Sequence, residues 1–556
     1  MKQLRVLGIV CIYAIGIVSG AFAEDPRSGD GPSEPDQPDI ILPTEVFELE
    51  AFNVEAVSAP LPQTSEIRIP ALPVPLPDSG EIEVTDAALA LQPLSPADQQ
   101  STMPLRGVSS VFSTARLGFG TRNWLFGDLS VFALGTEPRF SFEFRHESLD
   151  GFGTRQAGTG YFSGVDSITG DIDYSSENTE LETSLSFDSR RDGFQGQGPY
   201  LSLDQRFSRL GIEASHRTTN TVSFSGGAHI DLADRVFTDP ESPDSEQALD
   251  ASVEGRVAIG SDRFEVSMNS QYLQSWIDRD SDGLILNGQT VSGGLSLDLS
   301  FDNGLLVDSS AGVAWRPGER LVVPFSLGVS GSVSDRLSLE LRTGQNPAHV
   351  SYVDLWDSVQ AIETPQTSVW GNEWYGRMAA TWFVRRDTTI SGEGRFRYWS
   401  DTYDVGPFAG GVHSFISVPE RTSVQSSIQA AYTPRPEFRG AVDLDVNLIS
   451  ARTIDPSFSI GLETELLTPD GLSGMLVRMD TAFFLEETQD VTPVMPELDI
   501  SGFYSLTDIV QVSLGIRDVL DLVDRDTPRF LYRSADPGFP LIEPGFRATL
   551  SAQLSL

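Results

Sequence analysis

From about Val108 to Leu556, apolar and polar residues alternate with a period of two, and no stretch sustains a helical period. The segments "GDLSVFALG", "RFSFEFRHESL", "GLSLDLSF", "RLSLELRTG", "AVDLDVNLIS", "FSIGLETELL" and "VQVSLGIRDVL" all repeat it. The pattern runs to the final residue. In "FRATLSAQLSL", Phe546, Ala548, Leu550, Ala552, Leu554 and Leu556 hold the even positions, and Arg547, Thr549, Ser551, Gln553 and Ser555 the odd ones. An ordinary C-terminus frays, whereas a terminus this regular reads as a paired strand with two unlike faces.

Turn residues separate the segments: "SENTE", "GSDR", "FDNG", "RPGER", "SVSDR", "RRDTT", "TPRPE", "TPDG" and "SLTD" carry the Asp, Asn, Gly and Pro that suit tight hairpins. The pattern yields 23 candidate strands. A ribbon of hairpins this long leaves a sticky edge unless it closes, stacks or divides. Stacked sandwich domains would show linkers at intervals of about 100 residues, and none interrupts Val108–Leu556. The expected fold is therefore all-β: a single large transmembrane antiparallel β-barrel over residues 108–556, with lipid outside and water inside. Closure favours an even total, so about 22 strands are expected within a range of roughly 20 to 24. The surplus strand is placed between Asn220 and Gln247, where the alternation of loops slips.

Loop lengths point the same way. Short turns fall near Ser261, Asn303, Asp335, Asp387, Pro436, Asp470 and Thr507. Longer connections fall at Asp278–Gln289, Gln345–Trp374, Ser400–Thr422 and Asp524–Pro544, with one tight "RPGE" near Pro317 as an exception. In membrane barrels one rim has short turns and the other long loops, and the short rim is periplasmic. Trp124, Trp276, Trp315, Trp382 and Trp399 lie near strand ends, where interfacial girdles form.

The N-terminal residues differ. Residues 1–23 read as a secretory signal: Lys2 and Arg5, a short apolar core, and "AFA" before Glu24. Residues 24–107 form a disordered, acidic, Pro-rich periplasmic segment, with sixteen Asp/Glu against Arg27 and Arg68 between Glu24 and Leu105. One Pro-free island, Thr44–Ala56, alternates apolar and acidic residues. Its Val46, Phe47, Leu49, Phe52 and Val54 suit docking onto the open sheet edge of a periplasmic protein, or an unstructured sticky stretch. The only cysteine is Cys11, and the only lysine is Lys2. Export without a disulfide framework follows. A formal net charge of −41 argues against nucleic-acid binding.

Chemistry-bearing motifs are few. His146, His216, His229, His349 and His413 are scattered, without ligand-pair spacing. No nucleophile elbow or phosphate loop occurs, and the chain is not expected to be an enzyme. "DRDSDGLILNGQ" places Asp278, Asp280 and Asp282 at alternate positions before Gly283, like the first part of a calcium loop. Its twelfth position is Gln289 rather than a bidentate Glu, so the expectation is a weak calcium site or a plain acidic loop.

The last hairpin, Asp518-Val-Leu-Asp-Leu-Val-Asp followed by a long loop and Pro544-Gly545-Phe546-Arg547, resembles that of TonB-dependent outer-membrane receptors. Ala115–Gly135 resembles the opening strands of an uncharacterised TonB-receptor-like barrel family. The resemblance implies the outer membrane of a diderm bacterium, contact with its lipid, insertion by the barrel assembly machinery, and receptor-like passage of a solute. Residues 24–107 are too few and too Pro-rich for the folded plug of such receptors, and Thr44–Val54 is at most a degenerate TonB box. A passive pore and a structural or adhesive surface protein are the alternatives.

Overall fold

The computed structural model describes residues 110–556, apart from 135–137, 153–159, 197, 220, 240–243, 262, 280–282, 360, 366–368, 410, 450–455, 486–490, 494–495 and 524–543. The signal reading and the segment 24–107, with its 44–56 island, lie outside the described residues.

The strands pair antiparallel in sequence order, from β1 (Ser110–Gly120) to β23 (Arg547–Ser555). The two ends then meet. β23 pairs with β1 from Thr114↔Ser555 to Gly120↔Thr549, and Ser113 and Leu556 exchange backbone bonds of 3.0 and 2.8 Å. The regular C-terminus is thus the closing stave, and Leu550, Ala552, Leu554 and Leu556 on its even face are exposed while Ser551 is buried.

Twenty-three hydrogen-bonded segments make 22 staves. β20 (Val491–Pro493) and β21 (Glu497–Ser505) both pair with β19 (Ser473–Leu485), at successive heights, and so form one broken strand. The surplus does not fall at 220–247. There β6 (Ser202–Thr219), β7 (Val222–Thr238) and β8 (Asp244–Ser261) pair in regular succession. One rim carries only tight connections, from the two residues 335–336 to the five residues 301–305. The other carries 151–161, 350–369 and 518–546. The "RPGE" turn belongs to this second rim, inside the connection 316–324, so the alternation of rims holds throughout.

Two expected long loops are mostly strand. β9 (Phe264–Arg279) and β10 (Leu284–Ser300) continue pairing through Asp278↔Ile285 to Arg279↔Leu284. β15 (Thr388–Ala409) and β16 (Val412–Arg435) pair up to Ala409↔Val412. At 22 and 24 residues, the strands of this hairpin are at least twice the 9–11 residues that span a bilayer, so it projects beyond the membrane.

The two faces are unlike. On β14 (Trp370–Arg385), Trp374, Met378 and Trp382 are 44, 63 and 48 % exposed on one face. On the other, Arg377 bridges Glu340 and Glu393 at 3.1 and 3.0 Å. The eight residue steps from Trp374 to Trp382 cover about 20 Å of membrane normal at roughly 3.3 Å per residue and a 40° tilt. They bracket most of an apolar band of about 25 Å. Trp315, 47 % exposed, shares the outward face. Trp124 does not: it is 4 % exposed and packs with Leu149 and Phe152 rather than joining a girdle.

Gly120 permits the closing seam. A Cβ there would meet the Ala548 carbonyl oxygen at 2.5 Å and Trp124 Cε3 at 3.3 Å. Gly120→Ala is expected to cost about 1–3 kcal/mol through overpacking, measured as a lowered urea midpoint of the barrel in vesicles. An unchanged midpoint would show that the seam does not need this gap.

Candidate functional site

The connection 350–369 does not stay at the rim. It contains a short helix, α1 (Tyr352–Ser358), started by Ser351, whose hydroxyl accepts from the Asp354 amide at 3.0 Å. This satisfies one of the amides that a helix start leaves free. Tyr352, Val353, Leu355 and Trp356 are buried to 3 % exposure or less. They pack on Phe207 of β6, Ala233 of β7, Ala248 of β8 and Ile277 of β9, and the same core includes Val405 of β15. Five staves separate β9 from β15 along the wall. A segment can touch both only from within the ring or across its mouth, so 350–369 bridges two walls from the lumenal side. The face that meets α1 is therefore the inner face, and the apolar face opposite is the outer one.

Phe207 lies twelve residues up β6 from Thr219 at the short-turn rim, about 30 Å at roughly 3.3 Å per residue and a 40° tilt. The bridge therefore sits in the half of the barrel nearer the long-loop rim.

Three polar anchors hold it. The first is Arg235 of β7, 1 % exposed. Its Nε donates to Glu246 Oε2 at 2.5 Å, Nη1 to the Ile362 carbonyl at 2.6 Å and Nη2 to Thr364 Oγ1 at 2.7 Å. The guanidinium also lies 4.2 Å from the Trp356 ring centre. A buried cation is costly unless paired and fully hydrogen-bonded, and here wall and loop together complete its shell. The second anchor is Asp357 of α1, which pairs with Arg190 of β5 (Thr179–Gly193) at 2.6 Å and with Arg209 of β6 at 2.7 Å. The third is Asp250 of β8, whose Oδ2 accepts from Ser351 Oγ at 2.7 Å and from the Val353 amide at 3.3 Å. On the far wall, His413 and the loop exchange backbone bonds: His413 N to Ala361 O at 2.6 Å and Glu363 N to His413 O at 2.7 Å.

Burial pushes the Asp357 carboxyl upward, but the Arg209 hydrogen bond and the Arg190 charge outweigh it and hold the group below its ordinary 3.8. The ionised form is thus favoured when the loop is docked, so its contribution is complete above the ordinary value and fades as pH falls through the depressed one. Lowering the pH from 8 to 5 is expected to leave the bridge docked through this anchor, with release only in stronger acid. Reactivity of a thiol placed at Asp354→Cys, followed against pH, measures this; release between pH 8 and 5 would contradict it.

Farther toward the short-turn rim lies a cavity of about 550 Å³ whose lining includes Glu180, Glu182, Glu213, Glu254 and Arg256. The acidic lining fits an aqueous lumen that favours cations over anions.

The residues singled out from sequence are not gathered here. Asp278 lies near the end of β9, opposite Ile285 and Gln247, on the face away from Ile277 and α1. Asp280 and Asp282 lie outside the described residues, as do Val46, Phe47, Leu49, Phe52 and Val54. Gly283 has φ +65°. The five histidines stand apart, beside Asp166, Thr179, Glu213, Ser275 and the Gly406 carbonyl. Among the described residues no group of three His, Cys, Asp or Glu could hold a metal ion. The sequence reading missed α1 and its anchors. Ser351 three residues before Asp354 is a usable helix-start signal; Arg235 with Glu246 leaves none, because their approach depends on strand register.

No family model matches the chain, and no curated protein matches it. Solved structures do. The ferric enterobactin receptor of Pseudomonas aeruginosa superposes with a TM-score of 0.61 at 10 % identity, covering 81 % of this chain and 81 % of that one. The FrpB iron transporter of Neisseria meningitidis gives 0.62 at 10 %, over 81 % and 82 %. The copper transporter OprC gives 0.60 at 12 %, over 81 % of each. The chain thus has the 22-strand fold of Gram-negative outer-membrane TonB-dependent receptor barrels.

Proposed function

We propose that this barrel passes a solute across the outer membrane and that residues 350–369 gate its outward mouth. The supporting observation is the bridge itself: a segment tied to β5–β9 on one wall, where it completes the bonds of the buried Arg235, and to β15–β16 on the other through the His413 backbone. A surface adhesin has no need of such a bridge. The long-loop rim faces outward in membrane barrels, which puts the gate on the side where solute arrives. The likeness to iron and copper transporters supports passage as the role, through fold alone. The substrate is not named by it.

Planar-bilayer conductance tests the gate. A variant with residues 351–368 replaced by a short Gly-Ser linker is expected to conduct several-fold more than the full chain. Equal conductance would remove the gating role, and large conductance by the full chain would favour a passive pore.

Three further roles belong to this reading. The outward apolar face contacts outer-membrane lipid after insertion by the barrel assembly machinery. Residues 44–56 dock a periplasmic protein through Val46, Phe47, Leu49, Phe52 and Val54, supported by their alternation with acids. Asp278, Asp280 and Asp282 take calcium weakly, supported by their spacing. Calorimetric titration with calcium, and with Asp280→Asn/Asp282→Asn, decides the last: a heat that survives both substitutions would place the ion elsewhere.

A further inference from the structure

A second lumenal site lies at the closing seam, away from the bridge. Arg517, the last residue of β22 (Val510–Arg517), stands directly opposite Arg547, the first of β23. Like charges directly opposite in a sheet repel. Both guanidinium carbons lie 4.8 Å from the centre of the Trp124 ring. Trp124 begins β2 (Trp124–Leu134), one stave beyond β1, and reaches them across Gly120, where a Cβ would intrude.

The three residues are rich in donors and short of acceptors. Trp124 is 4 % exposed, and its Nε1–H has no acceptor; nor has the buried Nε–H of Arg547. Buried polar groups in native proteins are nearly always satisfied. Among the described residues neither Arg517 nor Arg547 makes an ion pair with a carboxylate, although acids outnumber basic residues 79 to 38. Other arginines of the inner face have such partners, as Arg116 has Asp128 and Arg145 has Glu147. The carboxylates nearby, Glu147, Glu497 and Asp499, act on Arg547 only through space: Glu147 hydrogen-bonds Arg145 at 2.8 Å, and Asp499 accepts from the Asp518 amide at 2.9 Å.

We infer that Trp124, Arg517 and Arg547 form an oxyanion site on the inner wall of the seam, taking the carboxylate or phosphate group of an acidic solute. Two guanidinium forks offer paired N–H donors to such a group, and the indole N–H supplies another. An oxyanion would relieve the Arg–Arg repulsion and satisfy both orphaned donors together. Apart from the wall that carries Glu180, Glu182, Glu213 and Glu254, this basic island fixes where the acidic end of a solute rests. The site stands on the seam geometry and holds whether or not 350–369 acts as a gate.

Calorimetric titration of the full chain in detergent micelles, with sodium phosphate and sodium succinate as probes, tests the site. Saturable binding of at least one probe is expected. Phosphate alone would assign phosphorylated solutes, and succinate alone carboxylates. Arg547→Gln is expected to weaken binding tenfold or more. Arg517→Gln, at an exposed strand end, is expected to weaken it several-fold while leaving the heat-modifiable gel mobility of the folded barrel intact. Trp124→Phe keeps the ring and removes the N–H, and should weaken binding by a smaller factor. The linker variant of 351–368 should bind as the full chain does. No saturable binding by the full chain, or undiminished binding by folded Arg517→Gln, would overturn the site.

Discussion

Arg235→Ala releases residues 350–369 from the wall. The side chain is 1 % exposed and holds Glu246, the Ile362 carbonyl and Thr364 Oγ1 together. Its removal leaves Glu246, 3 % exposed, with Arg279 at 3.8 Å as its remaining cation. Breaking a buried pair from one side costs about 3–5 kcal/mol. The lost packing on Trp356 adds to this through the stacked cation. The barrel itself survives, because β7 and β8 keep their ladder from Val222↔Ile259 to Phe237↔Asp244. The expected result is a folded barrel with a mobile bridge: backbone amides of α1 lose hydrogen-exchange protection by two orders of magnitude or more, and bilayer conductance rises toward that of the linker variant. Undiminished protection in α1 would show that the apolar contacts with Phe207 and Ile277 hold the helix alone.

Removing Arg547–Leu556 has a larger effect, because it opens the ring. β1 and β22 each lose a partner: β23 pairs with β22 from Arg517↔Arg547 to Val510↔Leu554 and with β1 from Gly120↔Thr549 to Thr114↔Ser555. In hydrocarbon each unsatisfied backbone group costs several kcal/mol, and an open sheet edge is not tolerated. The truncated chain is expected to show no heat-modifiable folded band and to be absent from the outer-membrane fraction. A folded, membrane-inserted truncation would mean that the seam is dispensable.

The parts legible in the sequence and the parts that were not divide along a physical line. Where a strand has lipid on one side and water on the other, its residues alternate. Leu550, Ala552 and Leu554 against Ser551 and Gln553 could therefore be assigned faces without a structure. Where strands rise beyond the bilayer, water bathes both faces and the alternation fades. Ser400–Thr422 accordingly read as a loop, though Ser400↔Glu420 and Thr402↔Val418 are paired. The even-number argument yields the 22 staves observed, but not their places: 220–247 carries regular pairing rather than the surplus expected there. The broken stave lies instead at 491–505, where Val491–Pro493 and Glu497–Ser505 both pair with β19.

The lumenal sites were less legible for a different reason. Arg235 and Glu246 sit eleven positions apart, and Arg517 and Arg547 sit on strands separated by the connection 518–546. Register brings them together, and register is set by turn geometry rather than by residue type. Trp124 lies at a strand end, the place of a girdle residue, yet its even position puts it on the face of Asp128, turned inward.

Single-cysteine scanning along Trp374–Trp382 tests the central claim most directly, since Cys11 is the only native thiol. Each variant is inserted into vesicles and challenged with a water-soluble maleimide, then with a lipid-confined quencher of a bound fluorophore. Positions 376, 378 and 380 should be shielded from the maleimide and quenched from lipid, and positions 375, 377 and 379 should react from water and escape quenching. Uniform reactivity, or water access at Met378→Cys with shielding at Arg377→Cys, would contradict a barrel that is apolar outside and wet within.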